Sequence, residues 1–301
     1  MTARTTLALC ATILFWASAF PAIRQALHGY QAGQLALLRF MVASICLILF
    51  ALIKRFRLPP LRDIPLLLVC GFLGVAVYHT ALNFGTRTVE AGPTCFVINT
   101  APAFTAILAR IVLGERLRLW GWAGMLIAFS GVAMIAVAKG GAIADWGIGL
   151  LLLAAVSWST YMIIQKPLLR RYTATELTAY SIWAGTLWLM IFAPDLPRQL
   201  SLAPWQATVG VVYLGIFPAA LAYFTWSYAL SHMPVSRAAS FMYIVPVFAT
   251  FLAWLWLGEQ PPLLTVFGGA VVLSGVAIVN TLGRTPLSAA VPSSTQSVPA
   301  K

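Results

Sequence analysis

Ten apolar runs of about twenty residues each follow one another along the chain, at roughly 6–27, 33–53, 65–84, 91–112, 119–138, 148–166, 174–193, 207–228, 236–257 and 263–282. That is the length an α-helix needs to cross the hydrocarbon of a bilayer. In lipid every backbone N–H and C=O must be bonded within the protein, so only helices and closed barrels can span it. Continuous apolar runs select the helix. The composition agrees, because 61% of the residues are hydrophobic and only 9% are charged. A soluble domain keeps about a quarter of its residues charged, and this chain has too few polar groups to cover a water-facing surface. The reading is an all-α integral membrane protein with ten transmembrane helices.

The charges it does carry orient those helices. With the N-terminus in the cytoplasm, Arg4, Lys54, Arg55, Arg57, Arg62, Arg110, Arg116, Arg118, Lys166, Arg170, Arg171, Arg237, Arg284 and Lys301 fall on the inner side. Arg24, Arg87, Lys139 and Arg198 fall outside, which gives 14 against 4. This positive-inside bias predicts that both termini are cytoplasmic. The net charge of +12 is thus read as basic loops beside anionic lipid. No basic run is interleaved with aromatics in a polar context, so nucleic acid is not an expected partner. The four cysteines, Cys10, Cys46, Cys70 and Cys95, lie in apolar runs without a C-x-x-C pair. They read as small apolar filler, and no metal or cofactor is expected.

The chain also repeats itself. A shift of 144 residues lays "APAFTAILARIVLGERLRLWGWAGMLIAFSGVA" (101–133) over "VPVFATFLAWLWLGEQPPLLTVFGGAVVLSGVA" (245–277) without a gap. Pro102 meets Pro246, Glu115 meets Glu259, Gly124 meets Gly268, and upstream Gly71 meets Gly215. The first parts of the halves align at a shift of 142, with Trp16 over Trp158, Arg24 over Lys166 and Tyr30 over Tyr172. Each half holds five helices. An odd number sends the second half into the membrane from the opposite side, so the halves are inverted repeats. Such repeats are typical of secondary transporters, whose substrate sites lie at the repeat interface near the midplane. The expected units are 1–140 and 141–284, followed by a disordered cytoplasmic tail at 285–301. A fused pair of halves has no obvious need for further assembly.

The repeat also bears on the first helix. Ala17-Ser18-Ala19 after a short apolar run has the form of a signal-peptidase site. Its counterpart, "SWSTYMIIQK" (157–166), lies mid-chain, where no signal peptide can be. The first run is therefore read as a retained helix whose small residues serve close packing.

Taken together, "LFWASAF" near the start, "LLRF" in the second run and the twice-occurring "P…LGE…G…SGVA" resemble EamA-type members of the drug/metabolite transporter superfamily. The resemblance covers roughly residues 6–284. It implies ten helices in two inverted EamA units and the movement of small metabolites across a plasma membrane, in bacteria the inner membrane. The aromatic-rich helices also resemble YddG-type aromatic amino-acid exporters. The resemblance implies export or uptake, with export favoured; it does not specify the substrate.

Candidate site residues are the polar and aromatic side chains at mid-membrane depth, where an unpartnered polar group is costly. The stretch "VYHTALNF" brings Tyr78, His79 and Asn83 together, and His79 maps onto Tyr223 of "AYFTW", close to Trp226. Equivalent positions of inverted repeats can face one cavity. His79 either lines that cavity or bonds between helices, and it can titrate near neutral pH. Asn99 and Thr100 precede Pro102, with Tyr243 and Pro246 as the counterparts of Asn99 and Pro102; each proline is expected to bend its helix, as a gate or as a static kink. Trp16 and Trp158, with Tyr161 nearby, lie halfway along their runs. Arg39 either snorkels to headgroups or faces a vestibule and attracts a carboxylate. Glu115 and Glu259 read as cap chemistry at helix ends.

Enzyme signatures do not appear. There is no H-E-x-x-H and no G-x-S-x-G, and Asp63, Asp145 and Asp195 lie in or beside loops. A nucleotide-sugar or sugar-phosphate carrier, the nearer alternative, needs several buried cations, and Arg39 alone qualifies. The expected activity is therefore secondary transport, by alternating access, of a small neutral or zwitterionic solute such as an amino acid.

Overall fold

The computed structural model describes residues 2–113, 118–138, 146–232 and 241–282. Glu115, Asp145, Arg237 and the tail from Thr285 lie outside these residues. The described chain is built from α1 (Ala3–Ala26), α2 (Ala32–Lys54), α3 (Leu61–Gly85), α4 (Ala91–Val112), α5 (Leu119–Ala138), α6 (Trp146–Ile164), α7 (Ala174–Phe192), α8 (Trp205–Trp226, continuing to His232), α9 (Met242–Leu257) and α10 (Leu263–Thr281). Helix α7 is followed by a short helix, Leu196–Leu202, bent 82° from it, and α9 is shorter than the other spans. These ten elements coincide with the ten apolar runs. Large apolar side chains such as Leu52, Ile53, Leu126, Ile191, Leu255 and Phe267 are exposed, as a lipid-facing surface requires.

The helix ends carry ordinary cap chemistry. Thr173 and Glu176 form a capping box at the start of α7, each side chain bonding the other's backbone N–H. Gly258 ends α9 in the left-handed region, at φ 69°.

Packing reproduces the repeat. Helices α5 and α10 cross through glycines on both sides. A Cβ on Gly124 would lie 2.7 Å from the Gly275 carbonyl oxygen, and one on Gly268 would lie 2.8 Å from that of Gly131. Shifting by 144 turns the first contact into the second. A pseudo-two-fold axis therefore runs between these two helices. The same operation relates two further contacts. Gly71 of α3 abuts Ala184 and Gly185 of α7, and Gly215 of α8 abuts Val42 of α2. In both pairs, small residues let backbones approach in a medium that gives packing little hydrophobic help.

The third helix of each half contains a π-helical stretch, Phe72–Val77 in α3 and Phe217–Leu221 in α8. The shift of 144 nearly superposes them. Such stretches leave backbone groups to be bonded from outside the helix, and the Ser157 hydroxyl donates to the Leu73 carbonyl at 2.8 Å. Helix α4 is interrupted at Asn99–Thr100, just before Pro102. Side chains add bonds to the last turn before the break: Asn99 Nδ2 donates to the Cys95 carbonyl at 2.8 Å and the Thr100 hydroxyl to that of Val97 at 2.7 Å. Around Pro246 the geometry differs. The residues Met242–Ile244 form a 3₁₀ turn, and Pro246 sits in the first turn of the α-helix that follows, where its missing N–H costs nothing.

The α5–α10 contact can be tested directly. Gly275→Val brings a side chain within 2.4 Å of the Ala128 backbone nitrogen. It should cost about 1–3 kcal/mol, as overpacking does, and lower the apparent unfolding temperature in detergent. Gly149→Ala, where nothing lies within 4 Å, should leave it unchanged.

Candidate functional site

A cavity of about 250 Å³ opens in the middle of the bundle, between α1, α2, α3, α4, α6, α8 and α9. Both halves contribute walls, while α5, α7 and α10 contribute none. Its volume falls just under the roughly 300 Å³ at which drug-sized pockets begin, so it suits a small solute.

Of the residues singled out from sequence, Trp16, Arg39, Tyr78, His79, Asn99, Pro102, Trp158 and Tyr223 line this cavity. Both halves supply aromatic walls. Trp16 meets Tyr223 edge-on with ring centroids 5.8 Å apart, and its mate Trp158 lies 5.1 Å from Tyr78. Tyr78 in turn stands 4.5 Å from His79, the mate of Tyr223.

Five other candidates take different positions. Trp226 backs Trp16 at 5.5 Å without lining the cavity. Tyr161 packs beneath Gly74, whose Cβ would meet its ring at 2.7 Å. Asn83 is fully buried, and its Nδ2 donates to the Ala32 carbonyl at 3.0 Å, tying α3 to the start of α2. His79 and Asn83 share one face of α3 and both meet α2, His79 at Arg39 and Phe40 and Asn83 one turn further along at the Ala32 carbonyl, beyond the cavity. Tyr243 turns toward α10, where Asn280 Nδ2 donates to its hydroxyl at 2.7 Å. Pro246 is buried beside Val245, which does line the cavity.

Arg39 does not snorkel. It is 4% exposed, its Nη1 donates to His79 Nδ1 at 3.5 Å, and its Nε has no hydrogen-bond partner. Withdrawing a charge from water costs several kcal/mol unless a counter-charge meets it. Among the described residues Asp63 and Glu259 form ion pairs, and both acids are committed elsewhere.

Sequence reasoning missed the apolar part of the lining. Phe20, Ile23, Leu82, Pro218 and Met242 all face the cavity. Apolar residues in an apolar chain give no signal of their own. Pro218 was the exception, since a mid-span proline marks a break.

A polar latch closes one end of the bundle. Arg24 Nε donates to Glu259 Oε1 at 3.0 Å, and Arg24 Nη1 donates to the Thr86 carbonyl at 2.7 Å and to that of Arg87 at 3.1 Å. Glu259 Oε2 accepts from the Ala91 backbone N–H at 2.9 Å. The cation thus caps the C-terminus of α3 and the carboxylate caps the N-terminus of α4, as helix dipoles favour. A wider depression of about 410 Å³ lies at the same end, lined by loop residues such as His28, Gln31, Arg87 and Arg198. Residues of both halves line it, and none of them lines the central cavity.

An all-helical bundle with inverted halves around a shared central cavity is a multi-pass membrane protein of the transporter class. Two successive segments, residues 4–137 and 145–281, match the EamA-like transporter family. The chain belongs to that family. It is 42% identical over 279 residues to a Streptantibioticus cattleyicolor protein named "probable terminal-alkyne amino-acid exporter", spanning 92% of this chain and 94% of that one. It is 40% identical over 262 residues to the uncharacterized transporter YdfC of Bacillus subtilis, at 87% and 86% coverage. It is 28% identical over 285 residues to the uncharacterized inner membrane transporter YedA of Escherichia coli, at 92% and 90% coverage. A crystal structure 22% identical in sequence shares the fold, with a TM-score of 0.63 over 94% of this chain and 98% of that one.

The placement of Asn83 carries a prediction. Asn83→Ala leaves the buried Ala32 carbonyl without its side-chain donor. It should destabilise the protein by about 1–3 kcal/mol, read as a lower unfolding temperature, while the affinity of whatever ligand the cavity takes stays near wild type.

Proposed function

We propose that the protein exports a small amino acid or a related zwitterionic compound across the plasma membrane through the central cavity. The observation that carries this reading is the cavity itself, walled by both repeats, rimmed with aromatics and holding one buried cation. The Streptantibioticus relative's name supports the amino-acid class. A single cation also fits a monocarboxylate better than a phosphate-rich solute.

In this reading the units 1–140 and 141–284 carry the cavity between two accessible states. The break at Asn99–Pro102 in α4, the 3₁₀-to-α junction before Pro246 in α9 and the π stretches of α3 and α8 supply places to flex. The positive-inside bias supports an orientation with the Arg24–Glu259 latch outside and both termini in the cytoplasm. The latch then seals the outer end, and opening outward requires it to break.

Two measurements test these roles. In liposomes, Trp16→Ala and Tyr223→Ala should each cut amino-acid flux by about tenfold or more, equivalent to 1.4 kcal/mol, with folding retained. Unchanged flux in both would remove the cavity from the pathway. For the latch, Arg24→Ala should speed labelling of Phe20→Cys by an impermeant maleimide added outside. The expected change is roughly fivefold, taking about 1 kcal/mol for a partly buried ion pair. An unchanged rate would show that the pair does not gate.

A further inference from the structure

We infer that Arg39 is the carboxylate anchor of the site, and that the site selects solutes by their carboxylate while tolerating loss of the amine. This rests on the central cavity being the transport site.

Three observations converge. Arg39 lines the cavity and is 4% exposed, so its charge is nearly shut off from bulk water. Among the described residues its hydrogen-bond partner is His79 Nδ1 at 3.5 Å, its Nε is unpartnered, and Phe40 offers a ring face 5.3 Å from the guanidinium carbon. A guanidinium presents five donors in a planar fork that fits a carboxylate with two parallel bonds. Most of that fork is left for a ligand.

The described acids lie elsewhere. Asp63 is held by Arg171 at 2.5 Å and by the Tyr172 hydroxyl at 2.7 Å. Glu259 belongs to the latch, Glu176 to the capping box of α7, and Glu90 precedes the first residue of α4. Asp195 borders the loop depression at the Arg24 end.

The repeat sharpens the inference. The position related to Arg39 by the shift of 142 is Ser181, buried and uncharged. His79 likewise faces a neutral mate, Tyr223. The pseudo-symmetric cavity therefore carries its fixed positive charge on one wall only, which gives an anionic end a defined side. No described carboxylate lines the cavity to receive an ammonium. Aromatic faces such as those of Trp16 and Trp158 attract a cation more weakly than an ion pair does. Recognition is thus one-sided, with the carboxylate required and the amine dispensable.

The test is a binding series on the full-length protein in lipid nanodiscs, by isothermal titration. Two matched sets are used. One comprises norvaline, pentanoate, norvalinamide and butylamine; the other comprises phenylalanine, 3-phenylpropionate, phenylalaninamide and phenethylamine. In at least one set, the amino acid and its deamino carboxylate should bind with similar affinity. The amide and the amine should bind about thirtyfold more weakly or worse, as when one partner of a buried charge pair is lost. Arg39→Gln should lose the preference, and Arg39→Lys should keep part of it.

An amide or amine that binds as well as the acid would overturn the anchor, and so would an Arg39→Gln protein that keeps wild-type affinity. The wild-type comparison stands even if the Gln variant fails to fold. If no carboxylate binds and UDP-glucose does so through Arg39, the anchor serves phosphate and this inference is wrong. Flux separates failure of the anchor from failure of transport. Transport of the panel without carboxylate preference overturns the anchor alone, whereas absence of flux for every compound, UDP-glucose included, overturns the transport reading as well.

Discussion

The close crossing of α5 and α10 is the contact on which the rest of the architecture depends. Gly124, Gly131, Gly268 and Gly275 bring two backbones together where any Cβ would collide. Because the contact is its own image under the repeat, it fixes the axis relating the halves. The axis in turn decides which residues face each other. The contacts of α3 on α7 and of α8 on α2 are images of each other under that operation, which also relates Trp16 to Trp158 and His79 to Tyr223. In a membrane, where apolar side chains gain little by leaving lipid for protein, such close backbone packing is the available source of precise geometry.

Within this symmetric scaffold the chemistry is asymmetric. Arg39 has Ser181 as its counterpart, and His79 has Tyr223. Helix α4 breaks ahead of Pro102, while Pro246 is absorbed into a helix start. The repeat explains where the cavity is, and the departures from the repeat explain why its walls differ. The two copies of the "LGE" motif also differ in sequence context. Glu259 meets Arg24 and the start of α4 and is followed by Gln-Pro-Pro, whereas Glu115 is followed in sequence by Arg-Leu-Arg.

Much of the fold was legible from residue order. Ten apolar runs became ten helices, and the Gly and Pro matches announced the inverted halves. The candidate site was legible in part. Polar and aromatic residues stood out against an apolar background, and eight of those proposed line the cavity. The remainder failed for definite reasons. Asn83 and His79 share a helical face in projection, yet the helix is close enough to α2 that the Ala32 carbonyl captures Asn83. Tyr243 occupies the position of Asn99 but finds a partner in Asn280 across the groove to α10. Repeat position alone does not fix side-chain direction when the local backbone differs.

By itself the sequence determined the medium, the helix count and the internal symmetry, because the bilayer forces each of these to be written as run length, charge scarcity and repeated Gly and Pro. Only the tertiary structure decided which polar groups are satisfied and which are not. Whether Arg39 reaches headgroups or stays enclosed depends on neighbours contributed by six other helices, from Phe20 on α1 to Met242 on α9. The same holds for the pairing of Arg24 with Glu259, 235 positions apart in the chain. Such contacts join residues with no local relation, so no periodicity or spacing encodes them.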